Sequence, residues 1–291
     1  MRIDEDLVVR LIEAQFPRWA DLHIQAVSPG GWDNRTFRLG EDMLVRLPSA
    51  AAYAAQVERE KRWLPRLVAH LPVPIPTPLA KGEPSADYPW PWSIFTWLDG
   101  EPVASGALED PATLARDLAD FLRALERIDP VEGPSPGPDN FFRGGNLRTY
   151  DSEVRRAIDV LGKSQDVVPF TAFWNEARAT AWSRPPVWVH GDFSGGNLLV
   201  STGHLCGVID FGQCVVGDPA CDLAIAWTLF DAPAREVFRT ALGLDAGTWA
   251  RGRAWAIWKA LIVAAGFIDT NAVEKARASV TLQAVLADRG L

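Results

Sequence analysis

Residues 187 to 222 read VWVHGDFSGGNLLVSTGHLCGVIDFGQCVVGDPACD. Two apolar runs, Val187 to Val189 and Leu198 to Val200, bracket a polar turn from His190 to Asn197, and a third run, Gly207 to Ile209, ends in Asp210. Short apolar runs bounded by turn residues read as buried strands, so strand ends present Asp192, Asn197 and Asp210 on adjacent loops. Carboxylate and amide oxygens are the ligands a hard cation such as Mg2+ takes. A carboxylate beside a hydroxyl can orient it and accept its proton. Together these are the demands of phosphoryl transfer from a nucleotide. The separations, five residues and then thirteen, carry the information, because Asp and Asn taken singly are ordinary turn residues.

Neighbouring polar residues have plainer explanations. His190 reads as a side chain that bonds the backbone of its own turn. Asp218 and Asp222 read as caps that orient a helix starting at Pro219. His204, Cys206, Cys214 and Cys221 match no common zinc spacing, and cysteine is among the most buried residue types.

The stretch HGDFSGGN, the strand end IDFG and the following GDPACDLA, in that order and spacing, resemble the aminoglycoside phosphotransferase family, small-molecule kinases whose lobes are similar to those of eukaryotic protein kinases. The resemblance implies that Asp192 is the catalytic carboxylate and that Asn197 and Asp210 bind Mg2+. It extends to VEREK, where Glu60, with Glu58 as the alternative, would pair with the nucleotide-binding cation. That cation is usually lysine in the family, whereas the corresponding MLVRLP carries Arg46, whose planar fork is not interchangeable with an ammonium. The loop SPGGWDN lacks the protein-kinase GxGxxG; by placement its amides from Gly31 to Asn34 would cover the triphosphate. SIFTWLDG resembles the strand that enters the interlobe hinge, so adenine would bond the main chain of Trp97 and Leu98.

The implied activity is transfer of the γ-phosphoryl group of ATP, with GTP as the alternative donor, to a hydroxyl of an aminoglycoside-like antibiotic. A metabolite kinase acting on choline, homoserine or a sugar, and a non-catalytic nucleotide-binding module, are the rival readings, since one fold serves many acceptors.

These residues need a scaffold, and the chain supplies recognisable elements. Asp4 precedes a helical stripe of Leu7, Val8, Leu11 and Ile12. Strand character follows around His23 to Val27, Arg35 to Leu39 and Met43 to Leu47. Ser49 to His70 reads as a helix that the proline-studded LPVPIPTPLA ends, and Trp92 to Leu98 as a further strand. Asp110 and Pro111 cap a helix whose stripe is Leu114, Leu118, Phe121, Leu122 and Leu125. Residues 130 to 146 hold eight Gly or Pro in seventeen positions and read as loop. Trp174, Trp182, Trp249, Trp255 and Trp258 fall in helical stretches and read chiefly as core, with one or two of them lining the acceptor pocket. The expected fold is α/β and bilobal: a five-stranded antiparallel sheet plus helix over residues 1–98, then a larger, mostly helical lobe over 99–291.

Composition sets the remaining bounds. At 291 residues, 48% hydrophobic and 23% charged, the chain is an ordinary globular one. A net charge of -8 is the wrong sign for broad nucleic-acid binding. The stretch Ala260 to Ile268 is too short to cross a bilayer. Acidic residues at the N-terminus, MRIDEDLVV, and three cysteines suit the cytoplasm and reduced thiols. The charge is uneven, with a net of -1 over residues 1–98 and -7 over 99–291. On that basis the acceptor is expected to be a small cationic molecule, drawn to a pocket lined by Asp231, Glu236 and Asp269. Oligomeric state leaves no mark in the sequence.

Overall fold

The computed structural model describes residues 2–28, 30–31, 33–103, 108–163, 166–268 and 270–288. Asp4 caps α1 (Glu5–Gln15) by accepting from the Leu7 amide at 3.1 Å, and the predicted stripe is buried. That stripe packs on a sheet built from β1 (Ile24–Ala26), β2 (Asn34–Leu39) and β3 (Met43–Pro48), contributing to a core with Phe37, Leu39, Val45 and Leu47. The helix expected over 49–70 is α2 (Ala55–Leu67), flanked on each side by a single turn of 3-10 helix. Its inward face carries Val57, Trp63, Leu64 and Leu67 and, among them, the carboxylate of Glu60.

The proline-rich segment does more than end that helix. It runs into β4 (Pro78–Gly82), which pairs with β5 (Trp92–Thr96) and forms one edge of the sheet, ordered β1-β2-β3-β5-β4. An edge strand tolerates proline because it needs only one side of the backbone for the ladder. The chain then leaves the sheet, and β6 (Glu101–Pro102) joins a different one.

The larger lobe starts on α3 (Pro111–Glu126), where the Asp110 carboxylate accepts from Ala112 and Thr113 amides at 3.1 and 3.0 Å. After the loop come α4 (Asp151–Leu161) and α5 (Val168–Arg178). Trp182, expected on a helix, lies beyond α5 in irregular chain and donates to the Pro185 carbonyl. β7 (Val187–Val189) pairs antiparallel with β10 (Val215–Gly217), while β8 (Leu198–Ser201) lies between β6 and β9 (His204–Val208). The remainder is helical: α6 (Ile225–Thr228), α7 (Ala232–Leu242), α8 (Ala246–Ala264) and α9 (Ala272–Ala287). α8 is enclosed on nearly every side, and its buried arginines are paired, Arg251 with Asp218 at 2.6 Å and Arg253 with Glu176 at 2.8 Å.

Packing does not follow chain order. Trp63, Leu64 and Leu67 of α2 belong to the same continuous core as Phe121, Trp174, Trp188, Phe211 and Trp227. The helix that carries Glu60 is therefore fixed to the elements that carry Asp210. No helix among the described residues is long and apolar enough to cross a membrane.

Candidate active site

β7 delivers the chain into the turn His190 to Asn197, and one buried carboxylate sets the shape of that turn. Asp222, 2% exposed, accepts from the amides of His190 at 2.7 Å and Gly191 at 2.9 Å. Gly191 has φ 86°, and a Cβ there would stand 2.4 Å from the Gln213 carbonyl oxygen, so only glycine fits. His190 bonds the backbone as expected. Its Nδ1 faces the Asp192 amide at 3.2 Å and its Nε2 the Ile209 carbonyl at 3.0 Å, which ties the turn to the strand end before Asp210. Asn197 closes the turn, its Nδ2 donating to the Asp192 carbonyl at 2.9 Å and to Asp192 Oδ2 at 3.2 Å. Its own carbonyl accepts the Ile209 amide at 2.9 Å. Asp192 and Asn197 are thus neighbours, both half-buried, and the Asn197 side-chain oxygen takes no partner among the described residues.

Asp210 stands across this turn in the left-handed region, φ 66°, a conformation that costs a non-glycine residue roughly 1–2 kcal/mol. Arg46 of β3 meets it: Nη2 lies 2.7 Å from Asp210 Oδ1, and Nη1 lies 2.7 Å from Glu60 Oε1. Burial opposes the ionisation of Asp210, but the Arg46 guanidinium outweighs it and holds the carboxyl below its ordinary value. Burial likewise works against the charge on Arg46, and Asp210 and Glu60 more than restore it. Arginine here does what a lysine would do less well, giving each carboxylate its own nitrogen from one rigid fork. Glu58 pairs instead with Lys81, at 2.6 Å.

The loop between β1 and β2 reaches the same cleft. Gln56 of α2 donates to Asp33 Oδ2 at 3.0 Å and accepts from Asn34 Nδ2 at 3.2 Å. Burial raises the Asp33 carboxyl against the Gln56 hydrogen bond, and the charges of Asp210 and Asp192 raise it further. Gly31 lies in this loop with its carbonyl accepting from Arg35 Nη1 at 2.6 Å. At the hinge, the Trp97 amide donates to the Asp42 carbonyl at 2.7 Å, so that amide is committed to the sheet. The Trp97 carbonyl and the Leu98 amide take no partner among the described residues.

Among the described residues no group of three His, Cys, Asp or Glu could hold a metal on its own. One carboxylate, Asp210, and one amide, Asn197, do suit Mg2+, which keeps several waters and takes further oxygens from substrate phosphates.

The acidic residues expected to line an acceptor pocket are occupied elsewhere. Asp231 caps α7 by accepting the Ala234 amide at 2.9 Å, and Glu236 lies 4.0 Å from Arg239 and accepts from Thr240 Oγ1. α7 packs against α3. Asp269 lies outside the described residues. Two cations lie nearby: Lys259, on α8, which lies within the electrostatic reach of Asp192, Asp33 and Arg143, and Arg143 itself, from the Gly/Pro-rich loop, which bonds Gln213. Sequence reasoning missed both. It also took Asp222 for a helix cap; Asp218 does cap there, accepting the Ala220 amide at 3.1 Å, while Asp222 holds the turn His190 to Asn197.

Glu126, the last residue of α3, lies in the field of Asp222. Burial, and after it Asp222, push its carboxyl up to about 7 from an ordinary 4.5. The folded chain therefore binds this proton more tightly than the unfolded chain, and the stability it contributes is present below pH 4.5 and lost as pH rises through 7. Glu126→Gln is expected to be more stable than the parent by about 1–3 kcal/mol at pH 8, with the difference closing towards pH 4. Urea denaturation of both proteins across that range checks it.

Comparison with known proteins bears on the fold and the family. An aminoglycoside 3'-phosphotransferase of Escherichia coli is 29% identical over 141 residues, 47% of this chain and 51% of that protein. The Bacillus subtilis protein YcbJ, itself uncharacterised, is 27% identical over 194 residues, 64% of this chain and 58% of its own length. The chain thus spans little more than half the length of these curated relatives. Among solved structures, the GDP complex of wild-type aminoglycoside 2'-phosphotransferase-IIIa superposes with a TM-score of 0.70 at 18% identity, over 98% of both chains. The macrolide 2'-phosphotransferase MphH of Brachybacterium faecium superposes with a TM-score of 0.64 at 20% identity, over 95% of this chain and 98% of that one. These likenesses establish the bilobal kinase-like fold. The model of one family matches residues 23–255, a span that takes in Arg46, Asp192, Asp210 and Asp222 alike, and on that match the chain belongs to the phosphotransferase enzyme family.

Proposed function

We propose that this chain transfers the γ-phosphoryl group of a nucleoside triphosphate to a hydroxyl of a small molecule. The observation that carries the reading is the meeting of Asp192, Asn197 and Asp210 on joined loops, with Arg46 brought to Asp210 from 164 residues earlier in the chain. Solved relatives named as GDP, ADP and ATP complexes support a nucleotide donor, ATP or GTP. In this reading the Leu98 amide and Trp97 carbonyl take the base, and Gly31 and its neighbours lie over the phosphates. Asn197 and Asp210 hold Mg2+, which when bound offsets charge building on the phosphate oxygens. Arg46 keeps Asp210 ionised and aimed, and each of its terminal nitrogens keeps a second hydrogen that a phosphate oxygen could take.

Asp192 orients the acceptor hydroxyl and takes its proton as the oxygen bonds to the γ-phosphorus. The bond from that phosphorus to the bridging oxygen breaks, and the nucleoside diphosphate leaves with the electron pair. Positioning and fixed charge supply most of the rate, since the transition state is loose. Relatives named for aminoglycosides and macrolides support an antibiotic-like acceptor; the charge of Lys259, within reach of Asp192, favours a metabolite acceptor that is not itself a cation.

Magnesium dependence tests the reading. Asp210→Ala is expected to abolish Mg2+-dependent nucleotide binding, and Asn197→Ala to weaken it less, because a carboxylate brings a charge that an amide lacks. Calorimetric titration of nucleotide with and without Mg2+ decides it; undiminished Mg2+-dependent binding in Asp210→Ala would remove the basis for the assignment.

A further inference from the structure

Arg143 is held unusually firmly for a loop residue. Its Nε donates to Gln213 Oε1 at 3.0 Å, and Gln213 is 8% exposed. Its guanidinium carbon lies 5.4 Å from the Trp255 ring and 5.1 Å from the Trp258 ring, both on α8 and both buried. Those rings are themselves braced: the tilted Tyr150 ring lies 4.0 Å from that of Trp258, centroid to centroid, and the Trp258 indole donates to Glu153 at 2.9 Å. What the bracing leaves over is the end of the fork. Neither terminal nitrogen of Arg143 has a hydrogen-bond or ion-pair partner among the described residues, and neither is a buried atom left without one.

Lys259 follows Trp255 by four positions on α8, which puts both on one helix face. It is open to solvent and forms no ion pair among the described residues. The surrounding protein, and after it the Arg143 guanidinium, lower the Lys259 ammonium below its ordinary value, against the pull of Asp192, Glu274 and Asp33. Of those carboxylates Glu274 is taken by Arg277 at 2.9 Å, and Asp33 by Gln56. Arg143 is thus anchored on Gln213, whose carbonyl backs Gly191 next to Asp192, and Lys259 stands on the helix against which Arg143 packs, within the electrostatic reach of Asp192. Like charges held near one another cost free energy, and a polycationic acceptor would add to that cost.

On the reading that this cleft transfers phosphate, we propose that the acceptor is a hydroxylated molecule carrying an anionic group, a carboxylate or a phosphate ester, which Arg143 and Lys259 bind so that its hydroxyl meets Asp192. The free fork of Arg143 matches either anion with two parallel hydrogen bonds, and Lys259 adds a point charge.

The test is a panel on one scaffold: D-glucose, D-glucuronate, D-glucose 6-phosphate and D-glucosamine, with kanamycin as a polycation. Binding to the full chain loaded with Mg2+ and a non-hydrolysable ATP analogue is measured by calorimetry. Glucuronate, glucose 6-phosphate or both are expected to bind at least about 10-fold tighter than glucose, and glucosamine and kanamycin weaker, as charge-assisted hydrogen bonds require. The two anions separate carboxylate from phosphate recognition. Lys259→Glu, a change at an exposed position, is expected to reduce the ratio of anion to amine affinity by at least about 10-fold, and Arg143→Gln to act in the same direction.

Equal binding across the panel, preference for glucosamine or kanamycin, or binding of none overturns the proposal. So does a Lys259→Glu protein that loses nucleotide affinity while keeping the panel order, which would assign these cations to the donor. The underlying reading is scored apart from this, by the loss of Mg2+-dependent nucleotide binding in Asp210→Ala.

Discussion

Asp192→Asn should lower turnover of any accepted hydroxyl compound by at least ~100-fold, the ordinary scale for removal of a general base, while nucleotide affinity stays within about twofold. The variant is chosen for what it keeps. Asn197 donates to one Asp192 side-chain oxygen at 3.2 Å and to the Asp192 carbonyl at 2.9 Å, and an asparagine oxygen can accept the first bond while the second is untouched. The turn is also held from beneath by Asp222, whose bonds to the His190 and Gly191 amides involve no atom of the replaced side chain. Shape therefore survives and proton acceptance does not. Initial rates with acceptor, beside calorimetric affinities for the nucleotide, separate the two effects. Turnover within tenfold of the parent would mean that the proton goes elsewhere.

The largest loss of stability is expected from Arg46→Ala. The guanidinium holds Glu60, whose side chain is 4% exposed, and Asp210, whose side chain is 29% exposed, each at 2.7 Å. Its removal strands a buried carboxylate on α2 and releases one in a strained backbone conformation. Breaking a buried pair by deleting one member costs about 3–5 kcal/mol, which for a chain of this size lowers Tm by on the order of 10 °C. Arg46→Lys should recover part of this, because an ammonium supplies the charge without the two-pronged geometry. Thermal melts of the three proteins at pH 7 give the order parent, lysine, alanine; equal melting of parent and alanine variant would show that the carboxylates find other partners.

What the sequence revealed about this site, and what it hid, follow from the kind of bond each residue makes. Asp192, Asn197 and Asp210 were legible because each sits at a fixed offset from an apolar run, and Glu60 through the resemblance carried by VEREK. Asp222 was read as a cap, since its partners are backbone amides 31 and 32 residues earlier and amides leave no pattern in a sequence. β6 and β10 are two and three residues long, below what alternation can signal, and β4 begins on a proline that normally argues against a strand. Lobe-wide charge pointed to a cationic acceptor, yet that charge is a sum over a surface. The cations named for the proposed acceptor site, Arg143 and Lys259, came from a loop and from a helix otherwise read as core, where no sequence pattern marks them.

That origin bears on how such a protein changes over generations. Arg143 and Lys259 lie on a Gly/Pro-rich connection and on α8, and neither bonds to Asp192, Asn197, Asp210 or Arg46. Substitutions at the two positions can therefore accumulate, reverse and be sampled in either order while the chemistry persists, so a descendant need not pass through an inactive ancestor to acquire a new substrate. Among variants selected in the laboratory for growth on foreign acceptors, first changes should fall in residues 130 to 146 and at exposed positions of α8 such as Lys259, with strands β7 to β10 left as they are. A scaffold divided in this way diversifies by drift at its periphery.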